Sequence, residues 1–271
     1  MPGIQKRVIL WTCPRSLSTA FLRSIATLPN AQVFHELFST VHYYASDERR
    51  PKNDDGGTAP PPFDPTMKAA AGILKANYPD KDAVFAKEMA YCVEGQLEAL
   101  EAEGIFGPDS GFVHSFLIRS ADRAVYSLYK ASVDERLTGW SSFDPSEAGF
   151  RQLRELYDFV KDRSAGAPVV IDADDLQSAP EETMRSYCDA VGIGYKEGMT
   201  RWEPGPVPGS IWEGWHEEVE KSSGIIRVDA AARKAVPTGD LPPEVLRCIE
   251  ACMPHYALLQ EARILPRLGR T

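Results

Sequence analysis

The stretch from Arg7 to Ala26, RVILWTCPRSLSTAFLRSIA, constrains this chain more than any other. Val8-Ile9-Leu10-Trp11 is an unbroken apolar run with the length of a buried strand. A polar segment follows, Thr12-Cys13-Pro14-Arg15-Ser16-Leu17-Ser18-Thr19, and then Phe21, Leu22 and Ile25 recur at helical spacing. The order predicts a strand, a tight loop and a helix. The first-turn N–H groups of a helix lack intrahelical partners, and the helix dipole adds about half a positive charge there. Ser16, Ser18 and Thr19 add hydroxyl donors, and Arg15 adds a fixed cation. A phosphate or sulfate group suits this chemistry. A plain strand–helix connection with a Ser or Thr N-cap would read the same way locally.

The loop is not the nucleotide-hydrolase pattern G-x-x-x-x-G-K-[ST], in which glycines wrap the phosphates and a hydroxyl holds magnesium. Neither glycine is present, and an arginine precedes the hydroxyls.

Composition narrows the partners. The chain has 271 residues, enough for a large core. Its net charge of −9 argues against general nucleic-acid binding, so an anionic ligand needs a local basic pocket. No apolar run approaches a membrane span, and MPGIQKR has no signal-like core, which predicts a cytoplasmic protein without a membrane partner. The five cysteines are scattered and odd in number, as reduced thiols are. Cys248 and Cys252, one helical turn apart, are read as helix packing and not as metal ligands.

Along the chain, Gln32-Val33-Phe34 predicts a second strand running into His35-Glu36-Leu37-Phe38. Ligands sit at the C-terminal ends of parallel strands, so the His-Glu pair is a candidate site, although a surface helix start would look alike. Residues 45 to 66 are rich in charge, Gly and Pro, which predicts either a disordered loop or, the reading preferred because it follows the His-Glu segment, a mobile lid. A helix follows over Met67 to Asn77, then a third strand, Ala83 to Met89, with Lys87 near its end. Gly111 to Lys130, GFVHSFLIRSADRAVYSLYK, again predicts strand, turn and helix. Its Arg119 and Ser127, eight apart, can converge on one phosphate. One helix over Pro145 to Arg163, a fifth strand at Val169-Val170-Ile171, a helix from Pro180 to Val191 ended by Gly192, and a final helix from Pro242 to Leu259 complete the reading.

Two of these stretches carry a resemblance. Thr12 to Thr19 resembles the 5′-phosphosulfate loop of the sulfotransferases, and Phe116 to Ser127 resembles their 3′-phosphate motif with its Arg and Ser eight apart. The strand, acidic turn, Pro-initiated helix and Gly over 167–192 is similar to the family's next unit. The resemblance covers residues 7 to about 195. It implies the donor 3′-phosphoadenosine 5′-phosphosulfate (PAPS, with product PAP), a P-loop NTPase-like α/β fold, and no metal. Arg15, Ser16, Leu17, Ser18 and Thr19 would hold the 5′-phosphosulfate, Arg119 and Ser127 the 3′-phosphate. Lys87 would offset charge on the transferring group.

The sequence departs from the family at two points. Leu17 stands where the loop has glycine, which puts the loop backbone in question. Met89 stands where the cytosolic small-molecule enzymes place a catalytic histidine, two residues after a lysine. The base is therefore sought in Phe34-His35-Glu36-Leu37-Phe38, which resembles bacterial trehalose-type enzymes: Glu36, or failing that His35. Arg233 and Lys234 are a weak match to a basic C-terminal loop over the donor. The expectation is a single three-layer α/β/α domain over residues 1–271, with a mostly parallel sheet, that moves a sulfuryl group to a small alcohol or phenol. Phe38, Tyr43, Tyr44 and the Trp202 to Trp215 segment would form the acceptor pocket. A P-loop-type kinase or hydrolase and a non-catalytic nucleotide-binding module are the alternatives. Oligomeric state, a homodimer included, stays open.

Overall fold

The computed structural model describes residues 5–44, 60–164, 166–233, 235–237 and 239–267. Residues 45–59, most of the expected lid, and Lys234 lie outside the described residues.

Five strands form one sheet in the order β2-β3-β1-β4-β5, every neighbouring pair parallel. They are β1 (Lys6–Thr12), β2 (Ala31–His35), β3 (Ala83–Met89), β4 (Phe112–Ile118) and β5 (Val169–Asp172). The strands are largely apolar and, apart from the half-buried edge strand β2, largely buried, as a parallel sheet covered on both faces requires. On β1, Val8 and Leu10 enter one core, while Ile9 and Trp11 enter the other.

The helices are α1 (Ser18–Ala26), α2 (Leu37–Tyr44), α3 (Met67–Lys75), α4 (Leu97–Ala102), α5 (Ala121–Ser132), α6 (Glu135–Thr138), α7 (Phe150–Lys161), α8 (Ala173–Ser178), α9 (Pro180–Val191), α10 (Glu217–Lys221) and α11 (Pro243–Glu261). Helices α1, α8 and α9 pack on the face of Val8 and Leu10; α2 to α5, α7 and α11 pack on the other. This is the expected α/β/α layering. Cys248 and Cys252 are buried on α11, in the core with Val245, Tyr256 and Leu259.

One expected helix is two. Pro145–Ala148 is a short 3-10 turn that ends at Gly149, and α7 starts beyond it. Gly149 has φ 73°, and a Cβ there would sit 3.3 Å from the Tyr91 ring. The chain must turn left-handed against that ring, which glycine alone does without strain.

The register sets the site. Thr12, Met89 and Leu117 end level with one another on β1, β3 and β4, and His35 pairs with Lys87 on β2 and β3. Thr12 Oγ1 donates to Leu117 O at 3.1 Å, fixing the end of β1 against β4. The loops that carry the chemistry therefore leave the sheet along one edge, as ligand-binding loops do in open α/β sheets.

Candidate active site

The loop 13–17 turns from β1 into α1 through two left-handed residues, Arg15 (φ 61°) and Leu17 (φ 67°). Leu17 thus takes the conformation that a glycine there would adopt freely, at a cost of about 1–2 kcal/mol. The doubt raised by the missing glycine is answered by the backbone: the side chain changes and the turn survives. Leu17 is the N-cap residue and supplies no side-chain hydrogen bond to the helix start. Neither a serine nor a threonine caps α1, so its first N–H groups remain available to an external anion.

Two sequence motifs meet here. Arg15 Nε donates to Ser127 Oγ at 3.0 Å, and Arg119 Nη1 donates to Arg15 O at 2.7 Å. Arg15 Nη1 also donates to Trp215 O at 2.7 Å. These partners are carbonyls and a hydroxyl, not carboxylates. Burial lowers the pKa of both guanidinium groups from the usual arginine value. Arg119 Nε is buried with no partner among the described residues. Two desolvated cations with a spare donor, beside an uncapped helix N-terminus, suit a dianionic phosphate or sulfate. Ser18 and Thr19 line the same space, while Ser16 turns inward to Thr12 Oγ1 and, at 2.8 Å, to Cys13 O. Ser16 therefore holds the loop together with its side chain.

At the ends of β2 and β3 the chemistry is reversed. Lys87 Nζ donates to Glu36 Oε1, and both groups are buried. His35 Nε2 lies 3.6 Å from the same oxygen. Glu36 is left-handed (φ 57°), a strained state for a glutamate, and the start of α2 just after it is clamped by Glu88. The Glu88 carboxylate accepts from Leu37 N at 2.9 Å and Phe38 N at 3.0 Å. Burial pushes Glu88 up to about 8 despite those donors. Lys87 was expected to face the transferring group; instead it is fully buried and spends its charge on Glu36. His35 is likewise shut away, its pKa driven well below the usual range by burial and by Lys87.

A cavity of about 320 Å³ joins the two regions, within the range of small-molecule sites. Arg15, Leu17, Ser18, Thr19, Arg119, Ser127 and Glu36 line it; Ser16, His35 and Lys87 do not. Its other wall is aromatic: Tyr43, Tyr91, Trp140, Trp212 and Trp215, with Met89 and Glu147. Tyr43 Oη and Tyr91 Oη are 2.7 Å apart, and Tyr43 donates to Glu147 at 3.0 Å. This corrects the expected acceptor wall. Phe38 is in the core, stacked on Trp11 at 5.9 Å; Tyr44 is buried off the cavity; Trp202 lies 5.6 Å from the Arg23 guanidinium. Arg233 is bound to Asp174 and Ser178 and does not reach the cavity wall.

The arm over residues 201–226 closes the cavity. Arg23, on the buried side of α1, donates to the carbonyls of Glu203 at 2.7 Å and Gly205. Gly214 allows the arm to cross the end of α6: a Cβ there would fall 1.5 Å from Leu137 O. The arm delivers Trp212, Trp215 and His216. His216 was missed by sequence reasoning, although it adjoins a tryptophan of the expected acceptor segment. The ligating atoms of His35, Glu36 and His216 lie within 4.8 Å of one another. Lys87 already holds Glu36 Oε1, and its fixed positive charge opposes a metal ion at that point.

Comparison with known proteins bears on the family and the fold. Branched-chain-amino-acid aminotransferase-like protein 2 of Arabidopsis thaliana is 27% identical over 264 residues, 92% of this chain. The chain spans about 40% of the length of that curated relative. The sulfotransferase domain from the curacin biosynthetic pathway superposes with a TM-score of 0.58 at 14% identity, over 97% of this chain and 100% of that one. The sulfotransferase domain of the Synechococcus PCC 7002 olefin synthase gives 0.54 at 14% identity, over 98% and 99%. These two likenesses show the fold. The sulfotransferase domain family matches residues 6–263, from the first strand past the end of α11, and the chain belongs to that family.

Proposed function

We propose that this chain transfers a sulfuryl group from PAPS to the hydroxyl of a small organic acceptor. The observation that supports this most is the meeting of Arg15, Ser127 and Arg119 beside the uncapped start of α1. The donor supplies an activated sulfuryl group on a 5′-phosphate and a separate 3′-phosphate. Arg15, Ser18, Thr19 and the first N–H groups of α1 would hold the phosphosulfate. Arg119 and Ser127 would hold the 3′-phosphate, with the unpartnered Arg119 Nε as a ready donor.

Transfer needs an in-line hydroxyl, a group to take its proton, and fixed positive charge around the sulfuryl oxygens. The aromatic wall around Tyr43, Tyr91, Trp140 and Trp212 would position a small alcohol or phenol by apolar contact. Among the wall groups with the chemistry to take the proton are Glu36, expected from the sequence, and His216. Lys87 would act on the reaction through Glu36.

The test is isothermal calorimetry of PAP, AMP and ATP, followed by an acceptor screen with labelled donor in EDTA. The reading expects PAP to bind at least about tenfold tighter than AMP, because one charge-assisted phosphate contact is worth about 1.5–3 kcal/mol. It also expects transfer to proceed in chelator. Equal affinity for AMP and PAP overturns it. Turnover of ATP that is lost in EDTA and restored by magnesium moves the chain to the kinase class.

A further inference from the structure

His216 lies outside every motif of the sequence, yet it occupies the point where the two halves of the cavity meet. Its Nδ1 is 3.4 Å from Thr19 Oγ1, a hydroxyl of the anion loop. Its Nε2 is buried and has no hydrogen-bond partner among the described residues. Its ring meets that of His35 edge-on at 4.9 Å. The charged groups acting on it are Glu36 and Lys87 at the ends of β2 and β3, and Arg15 from the loop after β1. Glu218, from its own arm, lines the same cavity.

We propose that His216 is the general base of the transfer, its Nε2 taking the proton of the acceptor hydroxyl while Thr19 fixes its tautomer. This rests on the sulfuryl-transfer reading above. Nε2 accepts the proton as the acceptor O–H bond breaks. The freed electron pair on oxygen forms the new O–S bond. The S–O bond to the leaving phosphate breaks, and its electrons stay on that phosphate. The proton then leaves His216 for solvent through the cavity.

The geometry favours His216 over Glu36 and His35. Nε2 can accept only if the hydrogen is on Nδ1. Thr19 Oγ1 accepts that Nδ1–H, which leaves the Thr19 hydroxyl hydrogen to donate to an anion at the start of α1. One hydroxyl thus links the donor loop to the base. Glu36 is poorly placed for the same task, because its Oε1 holds the Lys87 ammonium. His35 does not line the cavity. Burial pushes His216 down to about 2, with His35, Lys87 and Arg15 adding to the effect. The ring is therefore neutral before transfer, as a base must be. An anion beside Arg15 offsets that arginine's field and raises the basicity of His216 when the donor is in place.

The experiment combines His216→Gln with nitrogen-15 NMR of the wild-type imidazoles in the PAP complex. His216→Gln is expected to keep PAP affinity within about threefold and to lose at least about a hundredfold in kcat, with the acid limb of the kcat profile gone. His216→Ala is expected to regain rate with added imidazole. The NMR spectrum is expected to show His216 protonated on Nδ1 and bare on Nε2. Turnover of His216→Gln near the wild-type rate, or a proton on Nε2, overturns the proposal while leaving PAP binding intact. Failure of the wild-type protein to prefer PAP over AMP overturns the underlying reading instead.

Discussion

The ends of β1 and β4 and the ends of β2 and β3 lie along one edge of the same sheet, and they treat charge in opposite ways. On the first side Arg15 and Arg119 are desolvated cations whose hydrogen bonds go to carbonyls and to Ser127. On the second side the Lys87 ammonium and the Glu36 carboxylate meet in a buried contact. The first region keeps its positive potential for a ligand. The second spends its charge internally, and what it offers to the cavity is a shaped wall with a neutral imidazole in front of it. A charge pair that neutralises itself holds geometry; a charge held without a counter-ion recruits one.

The largest effect is expected on the self-neutralised side. Lys87→Met leaves Glu36 buried and unpaired, and should cost about 3–5 kcal/mol in urea unfolding. The double variant Glu36→Gln with Lys87→Met should recover most of that loss. A single variant that costs under about 1 kcal/mol would mean the pair is not a structural contact, and the contrast between the two sides would fail.

Next comes the ligand-recruiting side. Arg119→Ala should weaken PAP binding by about 1.5–3 kcal/mol while leaving AMP affinity nearly unchanged, as read by calorimetry. The melting temperature of the free protein should hold or rise, because a desolvated cation is removed. An equal loss for AMP and PAP would place Arg119 elsewhere in the donor site.

Acid separates the imidazoles of the two regions from those of the core. His35, His114 and His216 all have folded pKa values below the unfolded value near 6.5, with His114 at about 4 and His216 at about 2. A depressed pKa means that the unfolded chain binds the proton more readily. The stability these groups contribute is therefore complete above pH 6.5 and is lost as pH falls through 4 toward 2. Each group contributes at most about 1.4 kcal/mol per pH unit in its window. His114 differs in being partnered on both nitrogens, by Trp11 Nε1 at 3.0 Å and Ile105 O at 3.1 Å. Thermal melts from pH 7 to 4 should steepen accordingly, and His216→Gln should flatten the curve. A flat wild-type profile would show that these rings are solvated.

The smallest effect belongs to Leu17. Leu17→Gly removes left-handed strain but also packing of the Leu17 side chain against the core of α1. Stability should change by less than about 1 kcal/mol and PAP affinity by less than about threefold, because the loop backbone and not the side chain carries the anion site. A large loss of affinity would give the leucine side chain a role in the donor site.

Much of the fold was written locally. Val8 to Trp11, Val113 to Ile118 and Val169 to Ile171 read as buried strands because both of their faces are covered, and the Pro180 start and Gly192 stop of α9 match the structure residue for residue. Periodicity over 145–163 looked continuous, and only the approach of Tyr91 to Gly149 explains the break. The loop proposed to hold the donor could be picked out locally because Arg15 to Thr19 is contiguous, and Arg119 and Ser127 sit on one strand–helix unit.

What the sequence determined by itself, then, is what neighbours in the chain can do: the strand–loop–helix at α1, the Arg119–Ser127 spacing, and the sheet they stand on. The tertiary structure alone decided which charges cancel and which stay open. Lys87 and Glu36 are 51 residues apart, and Thr19 and His216 are 197 apart, so no local pattern joins them. Lys87 read as a cation for the ligand until burial against Glu36 made it a strut, and His216 read as nothing until the arm laid it beside Thr19. Burial sets the cost of a charge, and burial belongs to the packed molecule and not to the residue.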